Sequence, residues 1–383
     1  MYILLTVVSS AWQRPLRKCL KRFWQRCSNG TKGKIMKQER LLHFDLLRIL
    51  ACFSVIVLHA AAQFWYGLPI DSTDWLVVNS YNAVFRFGVP VFVAISGALF
   101  LAPSREVNMR KLFLHNILRL VILYFVWSAL YGLYDCRNYE WSQLSMNDIL
   151  MEIFLGRYHL WYLPMIVGIY MLVPILKRWV TAASRREVEY FLLLFLVFQI
   201  LQGTIMAIKP TEWMKFVLGA FDLQMACSYL GYFVLGYYVV YCGIGKKWHP
   251  WIYLAGVLGA VANILLSAWK AAQTGAPDGV IFDSFGLFTF LMVLALLMFF
   301  TEKGSKVEWS SGTCCIIREI SSATLGIYLM HLMWMEFLME KGIHSTTVTP
   351  WIGVPMISVV CFCLCFACAA FLRRIPFLGR YLC

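Results

Sequence analysis

The chain has 383 residues, of which 61% are hydrophobic, 16% aromatic and only 14% charged, whereas an ordinary soluble domain carries roughly 25% charged residues. A soluble protein of this composition would have too little polar surface, so the chain reads as an all-α, polytopic membrane protein. The formal net charge of +14 is not a nucleic-acid signal, because the basic residues concentrate in one arm and in short loops, where they act as a topology device.

Residues 1–40 hold ten of the 34 Lys+Arg against one acid, Glu39. The apolar opening is too short to span a bilayer, and the basic residues follow it instead of preceding it, the wrong order for a secretory signal. Two readings stand: a basic cytoplasmic arm lying on the inner leaflet, or an over-long gene model whose true start is Met36. The remainder, 41–383, has no linker and reads as one domain.

Hydrophobic stretches then follow at 44–66, 82–102, 112–134, 160–177, 188–208, 224–244, 251–269, 283–300, 320–340 and 351–372, so the expectation is a single bundle of about ten transmembrane helices. Loops 103–111, 177–187, 246–250 and 301–319 with the tail 373–383 contain 15 Lys+Arg, and the alternate loops contain 6. The positive-inside rule places both termini in the cytoplasm of a multi-pass protein in the cell (inner) membrane. The three remaining cations, Arg48, Arg86 and Arg119, lie within spans.

An ionisable group in a membrane helix is expensive and faces a bundle interior or a wet cavity. The first span, LHFDLLRILACFSVIVLHAAAQFWY, carries Asp45, Arg48 and His59. Eleven residues bring His59 to within about 20° of Arg48 around the axis and ~16 Å along it, and Asp45 falls within about 60° of both. This stripe predicts a site that is cationic at one end and titratable at the other. Arg48 and Arg119 lie toward the cytoplasmic side and suit a phosphorylated ligand; His115 shares the face of Arg119. Snorkelling to headgroups is the structural alternative for both arginines. Arg86, nearer the outside, suits an anionic or sugar substrate, as do Trp161 at the opening of the fourth span and His331 and Glu336 in the ninth. His59 suits a general base. Most of the 13 Cys sit in apolar runs, and no pair has metal-ligand spacing, so no metal is expected.

These residues resemble a known family, the membrane acyltransferase 3 family of integral-membrane O-acyltransferases. The resemblance rests on Arg48 and His59 within FDLLRILACFSVIVLH, FRFGVPVFVAISGALF in the second span, HLWYL opening the fourth, LGIYLMH in the ninth and the closing RRIPFLGRYL. It covers about 36–383 and is greatest to the branch that contains the enterobacterial common antigen O-acetyltransferase. It implies an acyl donor, acetyl-CoA in most members, reached from the cytoplasm, and as acceptor a hydroxyl of a cell-envelope polysaccharide or lipid-linked sugar. It makes His59 the essential histidine, Arg48 its motif partner and Arg119 the second arginine of an Arg-x-x-Arg motif whose first position here is Asn116.

The expected function is therefore O-acetylation in polysaccharide biosynthesis, with His59 and Arg48 catalytic, Arg48, Arg119 and His115 holding the coenzyme, and membrane lipid as the surroundings. A covalent acyl-histidine stays open beside direct transfer. A non-catalytic exporter or flippase of an acylated glycan, and an acyl-group sensor, are the alternatives from other functional classes.

Overall fold

The computed structural model describes residues 42–136, 146–208, 211–220 and 223–375, with 379 and 382; the predicted basic arm of residues 1–40 lies outside them. The described residues form helices and connecting turns with no strand. The helices are α1 (Leu42–Ala62), α2 (Thr73–Val84), α3 (Gly88–Phe100), α4 (Leu118–Cys136), α5 (Met146–Leu155), α6 (Tyr162–Ala182), α7 (Arg185–Phe195), α8 (Gln202–Ile208), α9 (Glu212–Gly219), α10 (Leu223–Tyr237), α11 (His249–Thr274), α12 (Leu287–Glu302), α13 (Ser311–Glu340) and α14 (Pro350–Leu372).

Nine helical stretches among the described residues are long and apolar enough to cross a bilayer. The expected span at 224–244 is built differently. Its α-helical part, α10, is only 15 residues long, with non-helical backbone at Ser228, and it continues into a π-helical turn at Tyr238–Cys242. The second span also departs from its predicted start at 82: α2 and α3 run together as Thr73–Phe100, joined by a 3-10 turn at Phe85–Phe87. Polar residues hide its first turns from hydropathy, but the structure satisfies them. Ser72 caps α2 by accepting from the Trp75 amide. Asn79 is fully buried, where it accepts from Trp65 Nε1 at 3.0 Å and donates to Ser267 Oγ at 2.8 Å.

The bundle is organised around α1, which packs against α2, α3, α12, α13 and α14. Leu47, Ala51, Ile56 and Ala60 are completely buried. Lipid tails are as apolar as leucine, so helices in a membrane associate through close packing and interhelical hydrogen bonds. Both are visible here. A Cβ added to Gly97 of α3 would stand 1.7 Å from the Phe233 carbonyl oxygen, and one on Gly236 of α10 would stand 1.9 Å from that of Ala94. Only glycine at both positions lets α3 and α10 touch backbone to backbone. Asp45 supplies the polar tie: it accepts from Ser321 Oγ at 2.6 Å, joining α1 to α13, and lies 3.7 Å from Arg48 Nη1.

Candidate active site

The two ends of the α1 stripe meet different surroundings. Arg48, held by Asp45 one turn earlier, lines a cavity of about 190 Å³ together with Ser96, Tyr162, Tyr170, Thr324 and Tyr328. A guanidinium that lines a cavity inside the bundle can hold an anion there, which one snorkelling to the headgroups cannot.

His59, in the last turn of α1, is half-buried and enters a cluster of rings. The His331 ring of α13 is 5.0 Å away between centroids, and the Tyr158 ring is 5.6 Å away with its hydroxyl 3.5 Å from His59 Nδ1. His159 packs edge-on against His331 at 5.2 Å and against Tyr131 at 5.1 Å. His331 Nδ1 lies 2.5 Å from the Tyr328 carbonyl oxygen. A carbonyl can only accept, so Nδ1 carries the proton, and the neutral imidazole is left with its lone pair on Nε2. That Nε2 atom is buried and has no hydrogen-bond partner.

Tyr328 joins the two halves. It lines the cavity beside Arg48, its ring is 5.7 Å from both His331 and His159, and its hydroxyl donates to the His159 carbonyl. His59 is therefore one aromatic ring removed from the cavity wall.

A charged clamp fixes the segment that bears Tyr158 and His159. Arg157 donates to Asp135 of α4 at 2.5 Å and to Glu336 of α13, and its guanidinium lies 5.9 Å over the Tyr131 ring. Burial opposes the Arg157 charge, but the hydrogen bond to Glu336 and the nearby charges of Glu336 and Asp135 outweigh it and raise the guanidinium above its usual value. Gly156, at φ +65°, makes the preceding turn; a Cβ there would be strained and would meet Ser128 Oγ at 2.6 Å.

Each predicted site residue has a definite place in this arrangement. The ring cluster brings His59 and His331 together, whereas Arg48 lines the cavity, whose lining includes neither histidine. Arg86 lies over the Phe282 ring at 4.8 Å, with His59 and Asp283 within electrostatic reach. Trp161 is 44% exposed and packs on Tyr229 at 5.6 Å. Glu336 is engaged by Arg157, which makes it part of the clamp that positions the site. Arg119 and His115 are exposed and lie outside the lining of the cavity, among the exposed apolar residues Phe113, Leu114 and Leu118. Arg157, Tyr158 and His159 were not among the predicted site residues, because they stand at the edge of the fourth span, where polar and aromatic side chains are ordinary. The signal available was that HLWYL, which His159 opens, is one of the runs that carry the resemblance. Among the described residues, no group of three or more His, Cys, Asp or Glu side chains is arranged to hold a metal ion.

A family model described as an acyltransferase domain matches residues 41–370. No significant match is found among curated proteins or among solved structures. The matched region takes in the whole α1 stripe, the cavity, the ring cluster and the clamp. With nine membrane-length helices among the described residues, a histidine cluster and a cavity lined by Arg48, and a family match over residues 41–370, the chain belongs to the membrane acyltransferase 3 family and is an acyltransferase.

Proposed function

We propose that this acyltransferase moves an acyl group, acetyl in the simplest case, from cytoplasmic acyl-CoA to a hydroxyl of a cell-envelope polysaccharide or lipid-linked sugar. The reading places the protein in the cytoplasmic membrane with its basic end and both termini inside. The observation that carries it is the run of side-chain contacts from Arg48 and Tyr328, which line the cavity, to His331 and His59 behind the Tyr328 ring. A soluble anionic thioester and a membrane-anchored alcohol must meet from opposite sides, and one stripe on one helix offers a cation to the first and an imidazole to the second.

A thioester is already activated, so the remaining work is to deprotonate the acceptor and stabilise an oxyanion. In this mechanism His59 takes the proton of the acceptor hydroxyl as its oxygen attacks the thioester carbonyl. The tetrahedral oxyanion collapses, the C–S bond breaks, and the leaving thiolate takes the proton back from the His59 imidazolium. The products are the ester and free CoA, and the imidazole is restored. His331 Nε2, an unused acceptor, suits a second hydroxyl of the sugar. Arg86 and the exposed Trp161 stand on the acceptor side, where an aromatic face suits a sugar ring.

The test is radiolabelled acetyl transfer by the purified protein reconstituted with envelope glycolipid. His59→Ala is expected to abolish transfer while the protein stays folded in the membrane. Retained transfer in that variant removes this mechanism. Transport of a glycan by wild-type protein with no acetyl incorporation replaces it with an exporter.

A further inference from the structure

Two further cations lie outside the α1 stripe and outside the cavity lining, behind Phe100 and Tyr170. Arg105, in the loop after α3, lays its guanidinium over the Phe100 ring at 4.0 Å and donates Nη1 to the Leu99 carbonyl at 3.2 Å. Phe100 packs at 4.5 Å on Tyr170, and Tyr170 lines the cavity with Ser96 and Arg48. Lys177 lies about two turns beyond Tyr170 on α6. Its Nζ donates to the Ala102 and Leu101 carbonyls at 2.6 and 3.2 Å. The Arg105 amide donates at 2.9 Å to the same Ala102 carbonyl that Lys177 holds, so the two cations meet at one end of α3.

Among the described residues, neither Arg105 nor Lys177 has a carboxylate within ion-pair distance. Burial depresses the Arg105 guanidinium below its usual value, so part of its hydration is gone without a counter-charge in return. Helix-end carbonyls attract a cation, but they leave most of the five guanidinium N–H donors of Arg105 unused. Two neighbouring like charges with donors to spare, and a third cation, Arg48, lining the nearby cavity, match a ligand bearing several phosphate charges.

We propose that Arg105 and Lys177 form, with Arg48, a polyanion receptor at the basic end of the cavity that grips the phosphates of the acyl donor. This rests on the acyl-CoA reading above and names residues that the α1 stripe does not contain. The nucleotide end would dock on Arg105 and Lys177, and the thioester arm would run inward along α1. The same phosphate chemistry is available from an anionic lipid headgroup, so the experiment separates the two sources.

The full chain is reconstituted in phosphatidylcholine nanodiscs, and KM and kcat are measured with acetyl-CoA and with S-acetylpantetheine, which has no phosphate. Arg105→Gln and Lys177→Gln are expected each to raise KM for acetyl-CoA about tenfold, the loss of one charged hydrogen bond at a part-exposed site, with kcat unchanged. KM for S-acetylpantetheine should not move. Arg105→Lys, which retains the charge, should recover part of the affinity. Equal KM changes with both donors, or none with either, overturn the proposal. So does loss of phosphatidylglycerol retention in mixed nanodiscs with acetyl-CoA kinetics unchanged, which assigns the site to lipid. Calorimetric binding of 3′,5′-ADP needs no turnover. Binding lost in the double variant supports the receptor even if no acyl transfer is found, and binding unchanged overturns it even if transfer is intact. Thermal melting of each variant checks that it is folded.

Discussion

His59 of α1 and His331 of α13 hold their rings 5.0 Å apart, although 272 positions separate them in the chain. His331 in turn is fixed by the Tyr328 carbonyl, which dictates its tautomer. Residues that act as one unit are grossly non-additive when removed. His331→Ala is therefore expected to lower kcat by about a hundredfold, within the range of general acid–base contributions. The double variant with His59→Ala should be no slower than His59→Ala alone. Single-turnover acetyl transfer checks this, and fully additive losses would show that the two rings work independently.

Tyr328 separates the cavity from the histidines, so its ring and its hydroxyl have distinct roles. Tyr328→Phe keeps the ring and loses the bond to the His159 carbonyl, at a cost of about 1 kcal/mol in stability. Tyr328→Ala removes the partition. It is expected to admit water and raise hydrolysis of acyl-CoA in the absence of an acceptor, because an open site no longer protects its reactive group. Thiol release with no acceptor present measures it.

Glu336 is read as part of the Asp135–Arg157–Glu336 clamp, and its removal should act through position. Its side chain is 24% exposed and that of Arg157 27%. Solvent screening holds the stability loss of Glu336→Ala to about 1–2 kcal/mol, between the values for exposed and buried pairs. KM for the acyl donor should not change, while kcat falls as Tyr158 and His159 lose their anchor. Thermal melting in detergent and donor kinetics separate these effects. A rise in acceptor KM with no change in melting would return Glu336 to substrate binding.

Arg48 and Arg119 make opposite predictions although both are intramembrane arginines in the sequence. Arg48 lines the cavity, and Arg119 is exposed outside it. Arg48→Ala is expected to raise donor KM by at least about tenfold, the cost of one charged hydrogen bond. Arg119→Ala should raise it by less than about threefold, as for surface charges. Donor titrations of both variants in the same nanodiscs decide between them.

The α3–α10 contact admits no side chain. Gly97→Val or Gly236→Val would drive atoms into the Phe233 or Ala94 carbonyl. The expected loss is about 1–3 kcal/mol, or more where the backbone cannot give, seen as a lower melting temperature and faster proteolysis of the loops. Arg48 and Tyr170 are positioned by the same packing, so donor affinity should fall in parallel.

Read by itself, the sequence determined the membrane class, the helical fold and the polar stripe of α1. Each follows from a local rule: lipid requires satisfied backbone and long apolar runs, and helical spacing places Arg48 and His59 on one face. It also singled out His331, because a buried ionisable group stands out against an apolar span. The tertiary structure alone decided which polar groups share a space. It brought α13 and the Tyr158–Trp161 turn to His59, made Glu336 a partner of Arg157, and placed Arg119 away from the cavity. It also merged Thr73–Phe100 into one span by satisfying Asn79 internally. Those outcomes depend on rotation and contact between helices distant in the chain. Hydropathy and spacing within any one segment carry no record of what the neighbouring helix presents.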